Sequence, residues 1–232
     1  MTDVAPVIAS HARRGISKGV MVYDHLRAAI IGLEMKPGTR IDKLELCDRL
    51  QVSRQPLAEA VARLADERLV VVEPQKGTFV ARISLADVAE AAFLRRALEV
   101  ATVAAIAPAM DEAMLKRLDR ILSYQAAALR AADPDEFYAL DVRFHMMLFD
   151  RLAMRRVIEA VESSRAQLER IRRILLPTPG RRQNTLREHR AIFAALAVRD
   201  ADGAAAAMGA HLDQVMEELK RFAARQPDLF EP

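Results

Sequence analysis

Asp141-Val142-Arg143-Phe144-His145 sets a carboxylate and an imidazole four residues apart. On an α-helix that spacing puts both side chains on one face, about 6 Å from each other, close enough to share a cation. Two more of the chain's five histidines, His189 and His211, fall on later helical segments. If all four side chains point into one helical bundle, they form an N₃O set suited to Zn²⁺ or Ni²⁺. One or two coordination positions would then stay open for water or a ligand carboxylate. The plainer alternative for each histidine is a hydrogen-bonded core or surface residue, because Asp-x-x-x-His also arises by chance.

A second stretch suggests different chemistry. In Leu50-Gln51-Val52-Ser53-Arg54-Gln55-Pro56-Leu57, Ser53 stands where a helix N-cap belongs, its hydroxyl expected to accept from the first-turn amides. Pro56 falls in that first turn, where a missing N–H is harmless. Leu57, Val61 and Leu64 recur at helical spacing and define a buried face. Arg54 and Gln55 open the other face and can reach phosphates or base edges. A shorter helix with Leu46 and Leu50 as its inward pair stands just upstream. Two helices across so tight a turn read as a helix-turn-helix, or else as an ordinary helical hairpin.

The elements that must hold these groups follow from pattern. A first helix runs from about Gly19 to Leu33 on Val22, Leu26 and Ile30, and Lys36-Pro37-Gly38-Thr39 ends it in a turn. After the two motif helices the period changes. Leu69 to Glu73 is rich in valine, Pro74-Gln75-Lys76-Gly77 is a turn, and Thr78 to Ala81 is a second short strand. Three helices and a hairpin make a winged helix-turn-helix, with Lys76 and Gly77 at the wing tip. Lys76 supplies charge there, and Gly77 permits close backbone approach. From Ser84 onward the chain reads as six helices. Four of the five breaks are marked by Pro108, Asp133-Pro134, the Pro177 to Gly180 stretch and Asp200-Ala201-Asp202, and the fifth lies between Leu152 and Arg155. The helices form an antiparallel bundle. The expected organisation is a flexible arm over 1–18, a winged domain over 19–82, a helical domain over 84–224 and a tail over 225–232. Arg172-Arg173 and Arg181-Arg182 are expected on solvated faces or helix ends.

Composition is consistent with this mainly α architecture. Aromatic residues are 5% of 232 and tryptophan is absent, which leaves Ala, Leu, Val and Ile to build packed helices. No apolar run nears the roughly 20 residues of a membrane span, and the single Cys47 excludes an internal disulfide, as suits the cytoplasm. The net charge of +3 sits wholly in residues 1–83, which carry 13 basic and 10 acidic side chains. That is the half expected to meet a polyanion.

Val52-Ser53-Arg54-Gln55-Pro56-Leu57-Ala58-Glu59-Ala60, preceded by Ile31 to Gly38 and followed by Gly77-Thr78-Phe79-Val80, resembles the DNA-binding domain of GntR-family bacterial regulators. The resemblance implies operator contacts from Ser53, Arg54, Gln55 and the Lys76-Gly77 tip. Ala58 stands where the family usually has a second recognition-helix arginine, and Arg68 where it has a glycine. Either the operator differs from the commonest family sites, or Arg63 or Lys43 compensates. Arg95 to Glu99, Asp141 to His145, Glu188 to Ile192 and Asp200 to Leu212 resemble the FCD effector domain of the FadR subfamily. Its metal-binding members use an Asp and three His at the positions of Asp141, His145, His189 and His211. Their cavity-facing arginine corresponds to Arg95; from the residues alone, Arg95 and Glu99 are equally an exposed ion pair. The usual small-Gly-Asn step after the Asp-His helix is replaced by Leu152-Ala153-Met154.

The resemblance implies a ligand-responsive regulator, a repressor by the commoner mode. It would act as a homodimer on a palindromic double-stranded operator, with a divalent metal and Arg95 anchoring a small carboxylate effector. Two competing readings are a metal-dependent hydrolase or lyase tethered to DNA, and a regulator whose signal is the metal itself. No unassigned Glu or His has a spacing that marks a general base for the enzyme.

Overall fold

The computed structural model describes residues 17–175 and 180–231, with the backbone alone for 162–166. Residues 1–16 of the arm expected over 1–18, with His11, Arg13 and Arg14, and the Pro177-Thr178-Pro179 break lie outside the described residues, while Ser17 and Lys18 begin the first helix. The chain divides into two compact units, one from Met1–Leu85 with Gln226–Pro232, the other Ala86–Arg225.

In the first unit, α1 (Lys18–Ile31) begins at Ser17, whose hydroxyl accepts from the Val20 amide. Its Val22, Leu26 and Ile30 are fully buried, and it packs on α3 (Arg54–Asp66), whose Leu57, Ala60 and Leu64 are buried as well. Between them α2 (Lys43–Leu50) starts under an Asp42 cap and ends at Gln51, which takes the left-handed conformation that turns the chain toward α3. Strands β1 (Val70–Glu73) and β2 (Gly77–Val80) pair antiparallel, with Val70 opposite Val80 and Glu73 opposite Gly77. Pro74 and left-handed Gln75 form the bend, closed by the Lys76 amide donating to the Glu73 carbonyl at 3.2 Å.

Two features of this unit were not legible in the sequence. Residues 38–41 do more than turn: the Gly38 and Ile41 amides donate to Val80 and Thr78, and Arg40 bridges Phe79. The far edge of β2 is therefore covered. At the other end of the chain, the residues expected as a tail return to this unit. The Ile83 amide donates to Leu229, the Glu231 amide donates to Ile83, and Phe230 is buried.

The second unit comprises α4 (Leu85–Ile106), α5 (Glu112–Arg130), α6 (Pro134–Leu152), α7 (Arg155–Leu175), α8 (Arg181–Ala197) and α9 (Ala201–Arg225). Asp111 and Asp133 cap α5 and α6 through backbone amides, and Pro134 occupies the first turn of α6. Short reversals make α5 with α6, and α8 with α9, antiparallel neighbours, and α5 also packs on α8. Their apolar faces, including Leu118, Phe137, Phe144, Ile192, Leu196 and Met208, form one continuous core. Among the described residues no helix is long and apolar enough to cross a membrane.

Candidate metal centre and nucleic-acid interface

His145 on α6, His189 on α8 and His211 on α9 converge inside the second unit, each 3% exposed or less. Their ligand-competent atoms lie within 4.8 Å of one another. Each ring is fixed through Nδ1. That of His145 donates to Glu99 Oε2 at 2.5 Å, that of His189 to Gln125 Oε1 at 3.0 Å and that of His211 to Glu188 Oε2 at 2.7 Å. All three acceptors are oxygens, so the proton is on Nδ1 and every Nε2 is unprotonated; that of His145 accepts from Arg95, and that of His189 has no hydrogen-bond partner. This is the tethering that metal-ligating histidines show. Phe144 stacks on the His189 ring at 4.2 Å and further restricts it.

Asp141 lies one turn before His145 and is also buried. Its Oδ1 stands 3.5 Å from His189 Nε2, and its Oδ2 receives Arg172 Nη1 at 3.2 Å. A carboxylate oxygen thus faces an imidazole lone pair with no hydrogen between them, and His189 Nε2 has no hydrogen-bond partner. Protonation does not fill that gap at neutral pH. Burial pushes His189 down to about 3, helped by the adjacent His211. Burial also lowers His211 to about 3 and His145 well below its ordinary value, with Arg95 adding to both. Burial alone would raise Asp141, but Arg172 and the surrounding cationic groups hold it below the usual carboxylate range. The donor set therefore fits a divalent cation, which would satisfy both facing lone pairs.

Arg95 is 6% exposed, so it is no surface ion pair. Its Nε donates to Glu99 Oε1 at 2.5 Å and its Nη2 to His145 Nε2 at 3.1 Å. The expectation that Arg172 and Arg181 are solvated is corrected. Arg172 neutralises Asp141, and Arg181, 4% exposed, holds Glu188 and Glu218. Both face inward because the bundle buries carboxylates, and a buried anion needs a counter-charge. Sequence reading missed Gln125 altogether and gave Arg172 no part in the site. It placed Glu188 beside His189 along the chain, whereas the carboxylate serves His211 on the next helix.

In the first unit, Ser53, Arg54 and Gln55 lie together at the exposed start of α3. Ser53 occupies the N-cap, but its hydroxyl makes no capping bond, contrary to expectation. Pro56 at the third helical position removes one of the two amides such a hydroxyl could accept from. Gln55 leans on Glu59 at 3.2 Å. Lys43 is exposed at the start of α2, and Lys76 at the wing tip pairs with Glu73 at 3.1 Å. Gly77 takes a φ of +131°, and a side chain there would sit 3.2 Å from Arg40 Nε. Arg40 thus adds a cation to the wing that the sequence did not flag. Arg63 is stacked 3.7 Å above the Tyr23 ring on α1, which ties it to its own domain.

A family model described as bacterial regulatory proteins, gntR family, matches residues 18–80, and one described as FCD domain matches residues 90–214. The Escherichia coli K12 HTH-type transcriptional repressor RspR is 32% identical over 90% of this chain and 92% of its own. The chain belongs to the GntR family. Among other relatives of this GntR regulator, a Streptomyces ambofaciens HTH-type regulator is 34% identical over 90% of this chain and 88% of its own. The Bacillus subtilis gluconate operon repressor is 30% identical over 56% of this chain and 53% of its own. The crystal structure of a Rhodococcus sp. RHA1 protein described as a GntR transcriptional regulator superposes with a TM-score of 0.76 at 25% identity, covering 88% and 98% of the two chains. GntR proteins are DNA-binding transcription regulators, not enzymes, and the hydrolase or lyase reading falls with that assignment. In this GntR chain α3 is the recognition helix and β1–β2 is the wing.

Proposed function

We propose that this protein is a FadR-type, ligand-responsive repressor whose helical unit binds a divalent metal and a small carboxylate. Asp141, His145, His189 and His211 would hold the ion. Zn²⁺ and Ni²⁺ suit a set dominated by imidazole. The observation that carries this reading is the tethering of three imidazoles from three helices, each by a different acceptor, with a buried carboxylate facing an unsatisfied Nε2. The ion would supply an open coordination position for an effector carboxylate, with Arg95 donating beside it. Ser53, Arg54, Gln55, Lys43 and the Lys76-Gly77 tip would contact the operator. Arg63 is the weakest member of that set because its guanidinium is already engaged.

A homodimer would place two recognition helices on a palindromic site. Repression is supported by relatives that carry that name. Switching requires the effector to favour one arrangement of the protein, and a coupling of about 1–3 kcal/mol gives a clear response. The test combines metal analysis of the purified protein with operator binding in three states: apo, metal-loaded, and metal-loaded with carboxylates. One metal per chain in wild type, none in His189→Ala, and operator release only when carboxylate is added support the reading. Release by metal alone would make the ion itself the signal. A chain that retains no metal from any divalent salt would overturn the proposal.

A further inference from the structure

Next to the histidine cluster a cavity of about 190 Å³ opens between α4, α7 and α9, with Arg95 and Arg172 in its wall. The same two arginines line one smaller pocket that reaches Glu99 and His145, and Arg172 lines another that reaches Asp141 and His211. Away from the arginines the wall is apolar: Ala92, Leu168, Ile171, Leu212, Val215 and Met216. The remaining polar side chains, Arg96 and Asp213, satisfy each other through bonds of 2.7 and 3.1 Å. Among the described residues no hydroxyl or amide side chain lines this cavity. Away from the paired arginines and Asp213, the hydroxyls of a sugar acid would lose water against a described wall that is apolar.

We infer that the effector is a monocarboxylate with an apolar tail. Its carboxylate lies at the Arg95–Arg172 end beside the histidines, and its tail fills the cavity against Ala92, Leu168 and Leu212. An apolar void of roughly 150 Å³ accommodates a benzene ring, so this one takes a phenyl group or an alkyl chain of about five carbons. Arg95 and Arg172 are paired with Glu99 and Asp141. Without a bound ion the centre is therefore close to neutral, and a divalent ion would give it the excess positive charge that draws an anion. The inference thus rests on the proposed metal reading.

Isothermal titration of zinc-loaded full-length protein with acetate, butyrate, hexanoate, phenylacetate and gluconate tests it. Affinity should rise about fourfold per methylene, roughly 250-fold over the four methylenes from acetate to hexanoate. Phenylacetate should match hexanoate, and gluconate should bind no better than acetate. Ala92→Phe, which fills the cavity from α4, should keep zinc stoichiometry while removing the gain from the longer tails. Gluconate binding as tightly as hexanoate, or an acetate-to-hexanoate series with no slope, overturns the tail assignment and leaves the metal reading intact. No binding by any carboxylate, with zinc present at full stoichiometry, overturns the carboxylate reading itself.

Discussion

Gln125 shows how much a single unremarkable residue can decide. It is fully buried on α5, and its Oε1 sets the tautomer of His189 across the bundle. Gln125→Leu should leave the fold in place yet weaken metal affinity about 10–100-fold, read by chelator competition. Gln125→Glu, which restores an acceptor, should recover most of the loss. The three histidines also predict a pH dependence for metal-free protein. Each binds its proton more weakly when folded than at the ordinary value of 6.5, with His189 and His211 near 3. The unfolded chain therefore takes up more protons below about 6.5, and stability falls as pH drops from there toward 3. Asp141 acts in the same direction, because protonation removes its pairing with Arg172. The melting temperature of the second unit should drop between pH 7 and pH 5, and His211→Asn should flatten that slope. An unchanged melting temperature over this range would contradict the buried, neutral assignment.

At the scale of elements, two departures from the family pattern have a conformational meaning. Arg68 follows α3 at φ +55°, and Ala153 follows α6 at φ +56°; both lie in the left-handed region glycine adopts without strain. The α6 end is therefore intact despite the missing glycine, at some cost. Ala153→Gly should stabilise the second unit by about 1 kcal/mol, a rise of roughly 3 °C in melting temperature. The recognition helix differs from the usual pattern in content instead. Ala58 is exposed one turn beyond Arg54, where an arginine would meet DNA. Ala58→Arg should steepen the salt dependence of operator binding by about one counterion, and Arg54→Ala should cost about 1–3 kcal/mol at its base pair. The returning C-terminal residues are structural too. Phe230 is 3% exposed and Ile83 0%, so truncation after Gln226 uncovers both. Burial of one such side chain is worth about 2 kcal/mol, and the loss should appear as earlier unfolding of the winged unit by differential scanning calorimetry.

For the molecule as a whole, two compact units with separate cores should unfold as two transitions. Metal at a hundred times its dissociation constant should stabilise the unit it binds by about 2.7 kcal/mol. The Ala86–Arg225 transition should shift upward with zinc while the winged transition stays fixed. A shift of the winged transition alone would place the ion elsewhere. The expected helix limits agree with the structure closely, because prolines, aspartate caps and left-handed exits punctuate the chain and each acts within a few residues of itself. The strand-like pairing of residues 38–41 and the return of Phe230 were not legible, since each joins segments with no local signal of the partnership.

Asp141 and His145 could be paired from helical spacing because they share a helix face, a property of α-geometry alone, whereas His189 and His211 joined them by residue type and by resemblance to the family. The same local logic gave Ser53, Arg54 and Gln55 their place at the start of α3. What tertiary structure alone decided was which polar groups serve which. Glu188 turns from its neighbour to His211, Arg172 comes from another helix to Asp141, and Arg63 is taken by Tyr23. Such partners are chosen by burial, where every charge and ring nitrogen must be satisfied by whatever the packing brings near, and sequence separation has no part in that choice.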